Sequence, residues 1–297
     1  MATLPTEILL TIFDWVSAPD DTRDEYDAQM SLSNCAAVNR HWNAMVTPLL
    51  YRHPQCRRER HLQSLIRTID EAHRGRTRHA HTAMVEQFSF GHFLSRHLSD
   101  DTVRAVMERC GAAMRWVNLG SSPRLTHRAL LDISSLCPGL RSLYLSDHAE
   151  PRFADDSLRT LFQHCRQLQE VGLYRCGALT DDTLATLLDN TAVQHLALMD
   201  CSLVSQQGID ELDRRGVNLK CVYITSRTLR ESPALRAIAE RCRKVYICVG
   251  DQSATLDAGG YQRSVQVRIS KNLGDDEVRI EVLTLENRRA SRVGIFG

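Results

Sequence analysis

The sequence predicts an α/β protein: three short N-terminal helices, an array of short parallel strands alternating with helices, and a C-terminal β-hairpin. Three observations carry that prediction. A strand–turn–helix unit, clearest over Cys165 to Leu187, recurs at a period in the twenties. The first fifty residues place their apolar side chains at helical spacing, outside that period. The last stretch alternates apolar and polar residues in two runs separated by a glycine-containing turn.

Residues 1–53 are the helical unit. In LPTEILLTIFDWV, Pro5 suits a helix start and Glu7 the positive helix end. Ile8, Ile12 and Val16 form one stripe, with Leu9 and Phe13 on the adjacent one. Ser17 to Asp27 reads as a polar loop. A second helix is expected to hold Met30, Leu32, Cys35, Ala36 and Val38, and a third Trp42, Met45, Val46, Leu49 and Leu50. Three such helices bury only a small core, and the apolar surface left over marks a partner site.

Residues 54–81 are rich in arginine and histidine. Leu62, Leu65, Ile66 and Ile69 sit at helical spacing, so the stretch predicts a linker helix followed by an exposed loop from Glu71 to His81. The basic residues read as a solvated face, since no aromatic residues interleave with them.

Residues 82–250 carry about seven repeats. They start at Val85, Met114, Leu140, Leu168, Val193, Leu219 and near Val245. The inward pairs are Phe88/Phe90, Val117/Leu119, Leu143/Leu145, Val171/Leu173, Leu196/Leu198 and Val222/Ile224. The following helices bury Val103, Val106 and Met107; Leu130, Leu131 and Ile133; Leu158, Leu161 and Phe162; Leu184, Leu187 and Leu188; Ile209 and Leu212; and Leu235, Ile238 and Ala239. Cys110, Cys137, Cys165 and Cys242 close helices, while Cys176 and Cys201 follow strands, where a small polar group can bond the loop backbone. Residues beside the inward pairs point to the opposite face of the sheet, expected to be concave. The candidate binding residues there are Trp116, Tyr144, Tyr174, Arg175, His195, Met199 and Tyr223, beside Asn118, Glu170 and Lys220. Aromatic residues and arginine are enriched in interface centres.

Residues 251–297 leave the repeat. Val265, Val267 and Ile269 alternate, as do Val278, Ile280 and Val282, and the turn between them contains Gly274 and Asp275. This hairpin is expected to cover the open edge of the last repeat.

Composition narrows the function. A net charge of +1 gives no bulk attraction to nucleic acid or anionic membrane. Lysine occurs only at 220, 244 and 271; 37 Lys and Arg residues minus three leaves 34 arginines. Ten cysteines in so long a chain make no disulfide scaffold, and none has zinc spacing. The N-terminus has no basic leader, so it reads as no signal peptide, and no segment is apolar enough to span a bilayer. A cytoplasmic or nuclear setting follows. No catalytic motif, cofactor loop or metal cluster stands out, so no cofactor or small-molecule ligand is expected. Asp100-Asp101, Asp155-Asp156 and Asp181-Asp182 each precede a helix and read as helix caps rather than acid–base pairs.

Two resemblances add to this reading. Leu4, Pro5, Glu7, Ile8, Leu9, Ile12, Phe13, Leu32, Val38, Arg40, Trp42 and Pro48 to Arg52 resemble an F-box. The first loop is longer than the family's, and Asn39 stands where many members carry cysteine. The L-x-x-L-x-L-x-x-C spacing resembles the cysteine-containing leucine-rich repeats. Together they imply an F-box/leucine-rich-repeat protein: an F-box followed by a leucine-rich-repeat solenoid. Such a chain would serve as the non-catalytic substrate receptor of an SCF-type ubiquitin ligase. The F-box would bind a Skp1-type adaptor and, through it, a cullin–RING assembly. Leu4, Pro5, Ile8, Leu9, Ile12, Phe13 and Trp42 would form the adaptor interface or its immediate support. The repeats would hold a protein substrate. Two alternatives are a binding scaffold without a ligase role and, less favoured by the charge, a nucleic-acid-associated protein using the basic linker.

Overall fold

The computed structural model describes residues 4–18, 24–77, 80–90, 98–122, 124–146, 153–225, 233–242, 244–248, 264–271 and 278–285. The chain divides into two compact units, Met1–Tyr144 and Leu145–Gly297. A helical N-terminal region precedes parallel strands with intervening helices, an α/β solenoid architecture.

The first unit opens with α1 (Thr6–Ser17), α2 (Glu25–Ala36) and α3 (Arg40–Arg52). Leu9, Phe13, Leu32 and Val46 form the bundle core, with Val16, Cys35, Trp42, Met45, Leu49 and Leu50 packed against it. The caps explain the boundaries. The Asp24 carboxylate accepts from the Tyr26 and Asp27 amides, so Glu25 to Asp27 belong to α2 and the loop ends sooner than expected. Asn39 accepts from the Trp42 amide at 2.9 Å, and that starts α3. An amide side chain at that position therefore has a capping role that cysteine performs poorly. Val38 falls in the turn between the two helices, not within α2, and is exposed.

Next comes α4 (Glu59–His73), which buries Leu62, Leu65 and Ile69. The helix runs three residues into the stretch expected to be loop, and His81 is buried at the start of α5 (His81–Met84). Several linker arginines have acidic partners: Arg57 pairs with Asp24, and Arg74 and Arg76 lie 3.7 Å from Glu71. Then β1 (Gln87–Ser89) pairs in parallel with β2 (Trp116–Ser121), flanked by α6 (Asp100–Cys110) and α7 (His127–Leu136). The short β3 (Ser142–Ser146) falls at the boundary between the units.

In the second unit, β4 (Glu170–Tyr174), β5 (His195–Met199), β6 (Cys221–Thr225) and β7 (Lys244–Cys248) are parallel neighbours in chain order. Their helices are α8 (Asp155–His164), α9 (Asp181–Asn190), α10 (Gln206–Arg215) and α11 (Pro233–Arg241). Antiparallel β8 (Ser264–Lys271) follows β7, and β9 (Val278–Leu285) follows β8, which is the hairpin expected from the alternation. Its turn lies outside the described residues.

All six inward pairs are buried, as are the repeat starts from Val85 to Leu219. Leu131 departs from the expected helix core and is exposed. It lies one position off the stripe of Leu130 and Ile133, and helical geometry turns it outward.

The aspartate pairs do not cap their own helices. Ser99 and Thr180 do so, accepting from the Thr102 and Thr183 amides. The first aspartate of each pair instead reaches the cap residue of the following helix. Asp100 accepts from the Thr126 amide and hydroxyl at 2.9 and 2.6 Å. Asp155 accepts from the same groups of Thr180 at 3.2 and 3.0 Å. Asp181 accepts from those of Ser205 at 2.9 and 2.5 Å. A carboxylate shared in this way ties neighbouring repeats edge to edge. The second aspartates are exposed in the first turn, where the helix dipole favours them.

Candidate functional site

The residues expected to meet an adaptor divide by position on α1. Leu9 and Phe13 are 3% and 0% exposed and belong to the bundle core. Trp42 is half-buried and meets Phe13 edge-on, with ring centroids 5.1 Å apart. These three support the helix and do not form its outer surface. Leu4, Ile8 and Ile12 are 53%, 48% and 39% exposed, and Pro5 is exposed at the N-cap. The cause is angular. Leu9 and Phe13 point along one direction of the helix and Ile8 and Ile12 along another, about a quarter-turn away, with Val16 between the two and Leu4 just ahead of the helix.

Trp15 was not singled out in the sequence, yet it is 70% exposed. It falls three residues after Ile12 on the same stripe, and that spacing was the available signal. Leu10, Met30 and Val38 add further exposed apolar surface in this bundle. Met30 was expected to face inward, but it lies two residues from both Ala28 and Leu32, the buried residues of α2, and helical geometry turns it to the opposite side. An apolar stripe of this kind on a helical bundle can dock an apolar partner surface but has no means of acid–base chemistry.

The candidate residues of the strand face fall in the two units and form two clusters. In the first unit, the Trp116 and Tyr144 rings have centroids 5.8 Å apart. His53, just past α3, meets Trp116 edge-on at 5.3 Å. Burial holds the His53 pKa below its usual value, against an opposing pull from Glu25. His53 was missed in the sequence because nothing local links it to a strand sixty residues on.

In the second unit, strand register sets the layout. Gly172 on β4 lies opposite Ala197 on β5, and Ala197 opposite Tyr223 on β6. Gly172 and Ala197 are buried although they point away from the inward pairs. Larger neighbours flank them: Glu170 and His195 on one side, Tyr174 and Met199 on the other. His195 Nδ1 is 3.6 Å from a Glu170 carboxylate oxygen, and both side chains are half-buried.

Directly after β4 and β5 come Arg175 and Asp200, with φ of 54° and 55°. This left-handed backbone is uncommon outside glycine, and it occurs at equivalent positions in two successive repeats. Arg175 Nε lies 3.5 Å from Asp200, and its guanidinium sits 5.1 Å from the Tyr174 ring centroid. Asp200 was also missed, because its role depends on the turn conformation. The turn sends the next residue back toward the strand. Cys176 Sγ then donates to the Tyr174 carbonyl at 3.8 Å, and Cys201 Sγ to the Leu173 and Met199 carbonyls at 3.6 and 3.7 Å. Burial pushes the Cys201 thiol up to about 12, so it acts as a packed donor and not as a nucleophile. Among the described residues no group of His, Cys, Asp and Glu is arranged to hold a metal, and no helix is long and apolar enough to cross a membrane.

A protein-family model described as F-box-like matches residues 1–57. No curated protein matches the chain. Among solved structures, the Rad7–Elc1 complex of yeast is similar at 18% identity over 53% of this chain, with a TM-score of 0.42. The matched region covers 40% of that chain's length. The tropomodulin C-terminal domain of Caenorhabditis elegans is similar at 14% identity over 61% of this chain and 90% of its own, with a TM-score of 0.35. A Bacteroides fragilis protein is similar at 12% identity over 62% of this chain and 72% of its own, with a TM-score of 0.31.

Proposed function

We propose that this chain is the substrate-recognition subunit of an SCF-type ubiquitin ligase. The observation that carries the reading is the exposed apolar stripe of Leu4, Ile8, Ile12 and Trp15. It lies within the segment that the F-box-like model matches. In this reading the stripe docks on a Skp1-type adaptor, with Leu9, Phe13 and Trp42 holding α1 in place behind it. The adaptor connects the chain to a cullin and a RING subunit. The strands belong to leucine-rich repeats of the cysteine-containing subclass. Their outward face binds a protein substrate through Trp116 and Tyr144 in one cluster and Tyr174, Arg175, His195, Met199 and Tyr223 in the other.

The chain performs no bond chemistry in this scheme. It keeps a substrate lysine at high effective concentration near a charged ubiquitin carrier, which shortens an intermolecular search to a local one.

The test is co-purification with Skp1. Ile8→Asp with Ile12→Asp buries two carboxylates in the docked interface, at a cost of about 4 kcal/mol or more. Adaptor binding is expected to vanish while the helical circular dichroism stays that of wild type, because neither side chain belongs to the bundle core. A folded double variant that still retains Skp1 overturns the docking surface. A wild-type chain that never retains it favours a scaffold without a ligase role.

A further inference from the structure

Lysine is nearly missing from this chain, and the three present share one corner of the fold. Lys220 immediately precedes β6, and its Nζ donates to Gln194 Oε1 at 2.7 Å. Lys244 on β7 lies opposite Cys221, the residue after Lys220. On β8, Ile269 lies opposite Val245, so antiparallel register puts Lys271 toward the same end of the sheet as Lys244. Residues 1–219 contain no lysine at all.

Arginine fills the other cationic positions. Some of these use the guanidinium fork, as Arg115 and Arg241 do on backbone carbonyls, but at several exposed positions the local geometry does not demand it. Arg52–Glu86 (3.1 Å), Arg74–Glu71 (3.7 Å) and Arg128–Asp101 (3.8 Å) are single-point contacts of well-exposed side chains. A lysine ammonium makes such contacts as well as a guanidinium does, and neither adds more than about 1 kcal/mol. Arg60 and Arg67 on α4 are exposed. The two residue types do differ in reactivity. A deprotonated lysine amine attacks the thioester carbon that joins ubiquitin to its carrier. The C–N bond forms, the C–S bond breaks, the carrier thiol leaves and the amine proton passes to solvent or base. A guanidinium stays protonated and offers no such lone pair.

We infer that arginine in place of lysine across residues 1–219 shields this chain from the ligase it belongs to and confines amine modification to the Lys220–Lys244–Lys271 corner. The inference rests on the ligase-receptor reading above. A receptor held beside a charged carrier is itself at high effective concentration, so an exposed amine on it would compete with the substrate.

The experiment uses the full chain assembled with Skp1, a cullin–RING pair, activating and conjugating enzymes and ubiquitin. Wild type is compared with Arg60→Lys/Arg67→Lys/Arg128→Lys and with Lys220→Arg/Lys244→Arg/Lys271→Arg. Ubiquitin-bearing peptides are mapped by mass spectrometry. Wild type is expected to modify itself slowly and only at the corner, and the arginine-substituted corner to take no ubiquitin on lysine. The three added lysines are expected to raise self-modification about fivefold or more, at the new positions. The inference is overturned if the added lysines, with Skp1 still bound and melting unchanged, leave the rate at that of wild type. It is also overturned if wild type is already modified as fast as that variant. Failure to retain Skp1 is a separate outcome, which removes the ligase reading and the shielding with it.

Discussion

Gly208 shows how one missing methyl group can govern a repeat contact. A Cβ there would sit 2.2 Å from Asp181 Oδ1, the oxygen that accepts from the Ser205 amide. Gly208→Ala gains up to about 1 kcal/mol of helix propensity but displaces a charge-assisted pair of hydrogen bonds worth more, so a net loss near 1 kcal/mol is expected. The sign is expected to reverse in an Asp181→Ala background, where the one tight contact left is Val204 Cγ1 at 3.1 Å, which a few tenths of an ångström of side-chain movement relieves. Thermal melts of the four variants of this double-mutant cycle check it. His53 offers a pH test. Its folded pKa is depressed by burial below the ordinary 6.5, so the stability it contributes is present above pH 6.5 and lost as pH falls below it. His53→Asn is expected to flatten the dependence of denaturation midpoint on pH between 7.5 and 5.5. Asp24 acts lower on the scale. The Asp27 amide and Arg57 hold its carboxyl below the ordinary 3.8, so its contribution to α2 is present above that value and lost in stronger acid.

Among the elements, α1 separates folding from docking along a single helix. Phe13→Ala removes a fully buried ring from the bundle core and is expected to cost about 3–5 kcal/mol, read as loss of helical signal on urea titration. A substitution on the outer stripe, such as Ile8→Asp, leaves that signal intact. Sequence periodicity marked both stripes as apolar. It did not separate core from surface, because period alone cannot say how much core two short neighbours supply. The strands were more legible. Their L-x-x-L-x-L spacing placed every inward pair correctly, since burial on one side of a strand leaves no freedom in the alternation. The aspartate ties between repeats were hidden for the opposite reason. Their partners are 24 to 26 residues away, and a local reading finds a nearer role, helix capping, for the same carboxylate.

Over the whole molecule, burial silences five of the ten thiols. Desolvation pushes Cys56, Cys110, Cys165 and Cys201 up to about 12, and Cys242 to about 11. Unfolded thiols ionise near 9, so these groups hold stability that is complete below pH 9 and declines above it. Alkylation at pH 8 is expected to spare these five cysteines in the native chain and to label them in denaturant, as peptide mapping will show. The repeat positions of most of these cysteines were visible in the sequence. Their inertness needed the packing.

The change of strand direction at β8 has one more outcome. A parallel array copies its own edge at every step, so each unit is a template for another. Antiparallel β8 occupies β7 in the reverse sense, so a further repeat cannot pair with the edge that β7 itself presents. Duplication of a repeat within such a gene therefore lengthens the parallel run by inserting rungs ahead of β8, with the hairpin carried along at the end of the longer ladder.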